Sequence, residues 1–374
     1  MFQIIPVRTK KQQKEFVELP LRMYKGVEWF VPPFYGDELK IFSKKNIYYS
    51  TCSSSFFLAI QDGVTVGRIQ GIIQHTYNEV HKVKQARFTR FDCIDNQEIA
   101  NALFDAVEKW ATDNGMEFIV GPLGYSDLER EGLLIEGFDY LNTFEEQYNY
   151  PYYQKLIENC GYQKDVDWFE HRIFKPNQNK ETLERLGQKA LKAYNLHLVG
   201  EGMPMGKFIK KYASGIFEVI DQCYGELYGT VPFSREMMEQ MITQFKLILD
   251  ERYFTTICDE NEKVVACGFC LPGIGKAVQK SNGKLTLPTI FRILKAVKKP
   301  ESVDMAIVGI LPEYRNSYVS AFVIKKLIEI SEMPTVKYLE TNLNLEHNHQ
   351  IMSLWKRFDH IQHKKRRCYI KKFN

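Results

Sequence analysis

No run of residues in this 374-residue chain approaches the ~18–20 consecutive apolar positions that a transmembrane helix needs. That absence leaves a membrane out of the expected partners. The first sixteen residues, MFQIIPVRTKKQQKEF, meet charges from Arg8 onward and offer no small-residue cleavage site, so they do not read as a signal peptide. Cysteine is sparse and scattered: Cys52, Cys93, Cys160, Cys223, Cys258, Cys267, Cys270 and Cys368. Without a secretory signal or a dense, regular spacing they read as reduced thiols in a cytoplasmic protein rather than as a disulfide framework. A strong charge bias is also missing. The 50 Lys+Arg stand against 46 Asp+Glu, and a net +4 on this length argues against nucleic acid as a partner. Much of the excess sits in one place, the tail Lys364, Lys365, Arg366, Arg367, Lys371 and Lys372. With period two, Lys365, Arg367 and Lys371 would share one solvated face of a terminal strand, opposite Cys368 and Ile370.

What is present is apolar and aromatic. Hydrophobic residues make up 44% and aromatics 13%, enough to exclude a disordered or collagen-like chain and to fill two cores. Periodicity divides the chain near 175–195, where a strand ending at Phe174 gives way to a Pro/Asn/Gln/Lys-rich stretch. We therefore expect two domains, 1–178 and 179–374. In the first, Asp62-Gly63 between two apolar runs predicts a hairpin over Ser55–Gln74. A strand over Gln85–Cys93, a helix over Gln97–Asn114 opened by Asp95, and a strand at Phe118–Gly121 follow. The second half repeats this order: a strand near Leu196, helices over Met205–Tyr224 and Ser234–Leu249, and a hairpin over Tyr253–Leu271. An inserted helix (Leu287–Lys298), a strand over Val303–Leu311, a helix over Tyr318–Ser331 and a strand over Val336–Leu343 complete it. Both halves close on helix, turn, basic strand. This is the signature of one α/β unit used twice, and parallel strand–helix–strand links beside hairpins require a mixed sheet.

The segment VDMAIVGILPEYRNSYVSAFVIKKL resembles the signature of the GNAT acetyltransferase superfamily, in which a strand runs into a tight turn and a helix. The tandem order resembles double-GNAT proteins, in which one copy often keeps the cofactor site. The resemblance implies an α/β (α+β) fold of two GNAT-like units, each a mixed, mostly antiparallel sheet flanked by helices. It implies an N-acyltransferase that moves an acetyl group from acetyl-CoA to a small-molecule amine or peptide. The alternative is a catalytically inactive GNAT-fold protein that binds a small molecule or protein partner.

By position, Val308 and Ile310 would pair with the pantetheine arm. Arg315, Asn316, Ser317, Tyr318, Val319 and Ser320 match the pyrophosphate turn, where free N–H groups and the helix dipole attract anions. Tyr318 stands where the family has glycine, and its Cβ and ring limit how closely a phosphate approaches the backbone. Asn316 and Ser317 are candidate caps for the helix. Asn348 matches an asparagine that contacts the cofactor arm, and equally fits a simple N-cap. The first copy carries Asp95 and Glu98 at the equivalent helix start, which repel a pyrophosphate, so it reads as non-binding.

Asp304 and Glu340 are the candidates for the base that takes the ammonium proton. The family's tyrosine acid is replaced by Trp355 in the second copy and by Ile157 in the first. No metal is expected: His347, His349, His360 and His363 match no known ligand spacing, and Cys267/Cys270 lie inside a strand pattern. The polar segment 121–137, with Asp127, Glu129, Arg130, Glu131 and Glu136, is a candidate cleft lining.

Overall fold

The hairpin expected at Asp62-Gly63 forms as the sequence requires, with both turn residues at positive φ, 51° and 78°, the geometry that matches strand twist. The computed structural model describes residues 1–373 apart from Leu128, Asn177, Gln178 and Glu226, and leaves the side chains of Lys175 and Gln350 undescribed. Gln178, where the sequence reading ends the first domain, thus lies outside the described residues.

Along the chain, β1 (Phe2–Pro6) precedes α1 (Lys10–Met23) and α2 (Tyr35–Lys40), then the hairpin β2 (Cys52–Gln61) and β3 (Val64–Gln74). Next come α3 (His75–His81), β4 (Gln85–Cys93), α4 (Gln97–Asp113), β5 (Phe118–Gly121), β6 (Leu133–Glu136), α5 (Tyr152–Asn159) and β7 (Gln163–Pro176). The second half runs α6 (Lys180–Ala193), β8 (His197–Val199), α7 (Met205–Tyr224), α8 (Arg235–Phe245), β9 (Phe254–Cys258), β10 (Val264–Pro272), α9 (Gly275–Gln279) and α10 (Leu287–Lys298). It ends with β11 (Ser302–Ile310), α11 (Ser320–Ser331), β12 (Tyr338–Thr341), β13 (Asn344–Leu345), α12 (His349–Trp355) and β14 (Phe358–Lys372).

Two compact units emerge: unit 1 is Met1–Phe169 with Gly275–Thr289 and His363–Asn374, and unit 2 is Glu170–Ile274 with Ile290–Gln362. In unit 1 the strands lie in the order β1-β2-β3-β4-β5-β14. All neighbours are antiparallel except β4 and β5. In unit 2 the order is β8-β9-β10-β11-β12-β7, again antiparallel except for β11 and β12. The two units are copies of one mixed, mostly antiparallel α/β plan. In each, the last strand comes from a distant part of the chain: β14 closes unit 1 and β7 closes unit 2.

In unit 1 the sheet is covered by α4, whose Ile99, Ala100, Leu103, Phe104, Val107 and Ala111 form a single buried stripe. The cap is Asn96, which accepts from the Ile99 N–H, and not Asp95 one residue earlier. Gly71 on β3 makes room for the helix, since a Cβ there would lie 2.8 Å from the Trp110 ring. Phe88, Phe91 and Phe104 fill the core beside Tyr153 and Tyr162. Burying a side chain such as Leu103 or Phe104 contributes about 2 kcal/mol. In unit 2, α7 lies on β10 and β11, and α6 packs on α11.

The basic tail is not the solvated strand that its period suggests. Lys364 and Arg366 share the buried face with Cys368. Arg366 pairs with Glu146 at 2.7 Å and donates to Asn142. On the other face Arg367 and Lys365 converge on Asp167 at 2.8 and 3.0 Å. Residue alternation places the side chains correctly, but alternation alone gives no sign of the partners that neutralise them.

Candidate functional site

In unit 2, β11 pairs with β10 as far as Ile310, whereas its parallel pairing with β12 covers only Ser302–Met305 against Tyr338–Thr341. Among the described residues, one edge of β11 from Ala306 to Ile310 therefore has no strand beside it. Side chains fill the gap. The Tyr224 hydroxyl, at the end of α7, donates to the Val308 carbonyl at 3.1 Å and accepts from the Val308 N–H at 3.2 Å. Cys223 Sγ donates to the Ile310 carbonyl at 3.2 Å, and Arg315 Nε donates to that same oxygen at 3.2 Å. Asn342 reaches the Ala306 carbonyl at 3.4 Å. The two backbone positions singled out for a pantetheine arm are thus exposed to an open edge, and the protein's own side chains satisfy them.

The turn that follows winds Pro312–Tyr314 into a 3₁₀ step and delivers the chain to α11 at Ser320. Tyr318 takes φ 61°, the left-handed conformation for which glycine is the ordinary residue, and its ring stands 61% exposed. Arg315 and Asn316 are exposed, while Ser317 and Val319 are buried. Neither Asn316 nor Ser317 caps α11: the Ser317 hydroxyl donates back to the Tyr314 carbonyl at 2.6 Å, and the helix start has no side-chain cap. The first N–H groups of α11 therefore carry no side-chain cap, with one arginine in the turn before them.

Asp304 and Glu340 are direct register partners on the parallel strands β11 and β12. Glu340 is buried and ion-paired to Arg172 at 3.3 Å, and the Arg172 guanidinium lies over Tyr338 at 4.1 Å. Asp304 is half-buried. Asn348 caps α12, accepting from the Ile351 N–H at 3.2 Å. Trp355, in the position of the tyrosine acid, is buried with its indole N–H on Asn344 at 2.7 Å. Cys267 and Cys270 are core thiols that burial pushes up to about 12, which leaves them unreactive at neutral pH.

The sequence reading missed most of a second polar centre, which lies wholly in unit 1. A cleft between α1, α2, β3, β4 and the 129–148 segment is lined by Glu38, Arg68, Arg90, Asp92, Glu129 and Arg130, with Tyr24, Phe30 and Tyr148 as apolar walls. Its geometry starts at a β-bulge: the register of β3 and β4 shifts between Arg68 and Gln70, and Arg90 adopts φ 48°. That re-aims the Arg90 guanidinium at both Glu38 oxygens, 3.0 Å each, and at Gln70 Oε1, also 3.0 Å. Burial alone would raise the Glu38 carboxyl, but Arg90 outweighs it and holds the group at about 2. Arg68 donates to Asp92 at 2.7 Å, and Asp92 also accepts from the Tyr24 hydroxyl at 2.6 Å.

Arg130 differs from these. Its hydrogen bond goes to the Phe144 carbonyl at 2.8 Å, and no carboxylate is within ion-pair distance of it among the described residues. Burial lowers it to about 10. Burial also raises Glu145 to about 7, with the Arg130 charge opposing. The cleft thus keeps a guanidinium with spare donors near a carboxyl that titrates around neutrality. The one sequence signal was the polar 121–137 segment, which supplies Glu129 and Arg130. The contributions of β3, β4 and α2 depend on the fold.

No protein-family model matches the chain. It is 26% identical over 378 residues to Protein YghO of Escherichia coli (strain K12), which spans 97% of this chain and 93% of that one. A protein described as bacterial ceramide synthase, from Caulobacter vibrioides, is 26% identical over 323 residues, 84% of this chain and 82% of that one. Among solved structures, a tandem GNAT protein from the clavulanic acid biosynthesis pathway superposes over 100% of this chain and 98% of its own, with a TM-score of 0.55 and 12% identity.

Proposed function

The chain has the tandem GNAT fold, and from that premise we propose that it is an N-acyltransferase, taking an acyl group from acyl-coenzyme A and placing it on a primary amine. The observation that carries this reading is the parting of the parallel pair β11 and β12 after Met305. It leaves the Val308 N–H and C=O turned to an edge where an extended amide-bearing arm finds a sheet-like ladder. The uncapped helix start at Val319–Ser320, with Arg315 in the turn before it, supports a pyrophosphate at the far end of that arm.

The chemistry asked of the site is modest. An amine nitrogen bonds to the thioester carbonyl carbon, the C–S bond breaks, the thiolate takes up a proton, and the ammonium proton goes to a base. Asp304 and Glu340 are the carboxylates offered for the last role, Glu340 being ion-paired to Arg172. The acetyl group is the simplest donor. The relative described as a ceramide synthase supports a longer acyl chain and an amino-alcohol acceptor, since a ceramide is an amide of that kind.

Calorimetric titration of the chain with acetyl- and palmitoyl-coenzyme A tests the donor. Saturable binding that weakens when Arg315 is reversed to glutamate is expected, and no binding at millimolar ligand would sink the reading. A second reading, a GNAT-fold protein that binds without turnover, is favoured by Tyr224, Cys223 and Arg315 already satisfying the edge. Mass spectrometry of an amine mixture incubated with acyl-coenzyme A separates the two, because only the first yields an amide.

A further inference from the structure

Helix α10 buries one face. Thr289, Ile293 and Val297 are buried, which is the i, i+4, i+8 stripe of a helix with one covered face. The opposite face is apolar as well. Leu287 and Phe291 are 73% and 71% exposed, Leu294 follows at i+7 from Leu287, and Leu285 is exposed in the preceding turn. A single exposed leucine means nothing, but three large apolar side chains on one helix face form a contiguous patch.

The segment that carries the patch has charge of one sign, although Arg252, which donates to the Val297 carbonyl at the end of α10, brings its ion-pair partner Asp250 there. No Asp or Glu occurs between Glu262 and Glu301, while Lys276, Lys280, Lys284, Arg292, Lys295, Lys298 and Lys299 do. On the helix wheel Lys298 ends the apolar stripe, and Lys295 and Lys299 flank it on one side. Leu and Phe on one side and lysines at its margin make up the pattern of a helix that lies in the plane of a lipid–water interface. The apolar side chains enter the acyl boundary, and the lysine stems reach back to the headgroups. At about 1.5 Å per residue the helix is roughly 18 Å long, too short to span a bilayer, and among the described residues no helix is long and apolar enough to cross one. The lack of a long apolar run, which led the sequence reading to expect no membrane partner, does not bear on a helix that lies flat.

We infer that the exposed face of α10 docks the protein on an anionic lipid bilayer through Leu287, Phe291 and Leu294, with Lys295 and Lys298 on the headgroups. The charge pattern selects this occupant over an apolar protein surface, since the segment between Glu262 and Glu301 carries cations and no acid, which is complementary to anionic headgroups. The inference stands apart from acyl transfer, because binding to a surface requires no turnover.

The experiment is co-sedimentation of the full chain with vesicles of phosphatidylcholine alone or with phosphatidylglycerol added, at low and high salt. Binding to the anionic vesicles that weakens with salt is expected. Phe291→Ser should lower the partition coefficient about tenfold and Lys298→Glu about fivefold, whereas Val80→Ser, at an exposed apolar residue elsewhere, should leave it unchanged. All three variants should melt within a few degrees of the parent, which separates lost docking from lost folding. The inference is overturned if the parent stays in the supernatant with anionic vesicles at low salt. It is also overturned if Val80→Ser loses as much as Phe291→Ser, or if light scattering finds an oligomer that Phe291→Ser dissociates without altering vesicle binding.

Discussion

Arg90 shows how much one residue can organise. Its left-handed φ costs conformational energy that a strand residue ordinarily avoids, and the return is a guanidinium bound to Glu38, Gln70 and, at 3.5 Å, Glu129. Removing one partner of a buried pair leaves the other charge stranded, so Arg90→Ala should destabilise the chain by about 3–5 kcal/mol in urea denaturation. Two neighbouring carboxyls respond to pH in opposite senses. Glu38 is held at about 2 against an ordinary 4.5, so its contribution is complete above pH 4.5 and is lost as pH falls toward 2. Glu145 is raised from 4.5 to about 7, so its contribution is present below pH 4.5 and is lost as pH rises through 7. Urea denaturation at intervals from pH 2 to pH 8 checks both. Glu145→Gln should abolish the loss between pH 4.5 and 7 while leaving the acid limb intact, and an unchanged curve would show that Glu145 is not raised.

At the scale of elements, the helices and strands could be read because local patterns dictate them. Asp62-Gly63 demands its hairpin, and the stripe on α4 and the limits of α7 and α10 follow from apolar spacing. The left-handed φ of Tyr318 and the register of Asp304 opposite Glu340 come only with the fold. The PEYR turn between strand and helix follows from the order of elements. What fills the open edge of β11 does not, because Tyr224 comes from a helix more than eighty residues earlier and only the packing of α7 brings it there. Its two bonds to Val308 must break before an amide arm can pair with that residue. Each is worth about 0.5–1.5 kcal/mol net and together about 1–3 kcal/mol, so Tyr224→Phe should tighten coenzyme A binding by roughly 5- to 150-fold in the same calorimetric titration. Weaker binding would mean that Tyr224 holds the ligand and does not compete with it.

For the molecule as a whole, repetition could be read from the sequence and strand exchange could not. The order of elements repeats in both halves, but periodicity carries no information about which distant strand lies beside β5 or β12. The tail reads as the closing strand of the second half, yet Tyr369–Lys372 pair with Phe118–Gly121 in unit 1. A chain truncated after Gln362 should therefore lose protection in unit 1, first at Phe118–Gly121 and Leu133–Glu136, which face β14. Hydrogen exchange measured by mass spectrometry checks this, and protection lost in unit 2 before unit 1 would contradict it.

The borrowed strand β14 also has a meaning for synthesis. A ribosome delivers Met1–Phe169 long before it delivers His363–Lys372, so the first half emerges with β5 lacking its neighbour and with Glu146 and Asp167 lacking the cations that neutralise them. Nascent unit 1 has to wait, with an open sheet edge, for the rest of the chain to be translated. During that interval a chaperone, or the corresponding strand of another nascent copy, competes for the place that β14 later takes.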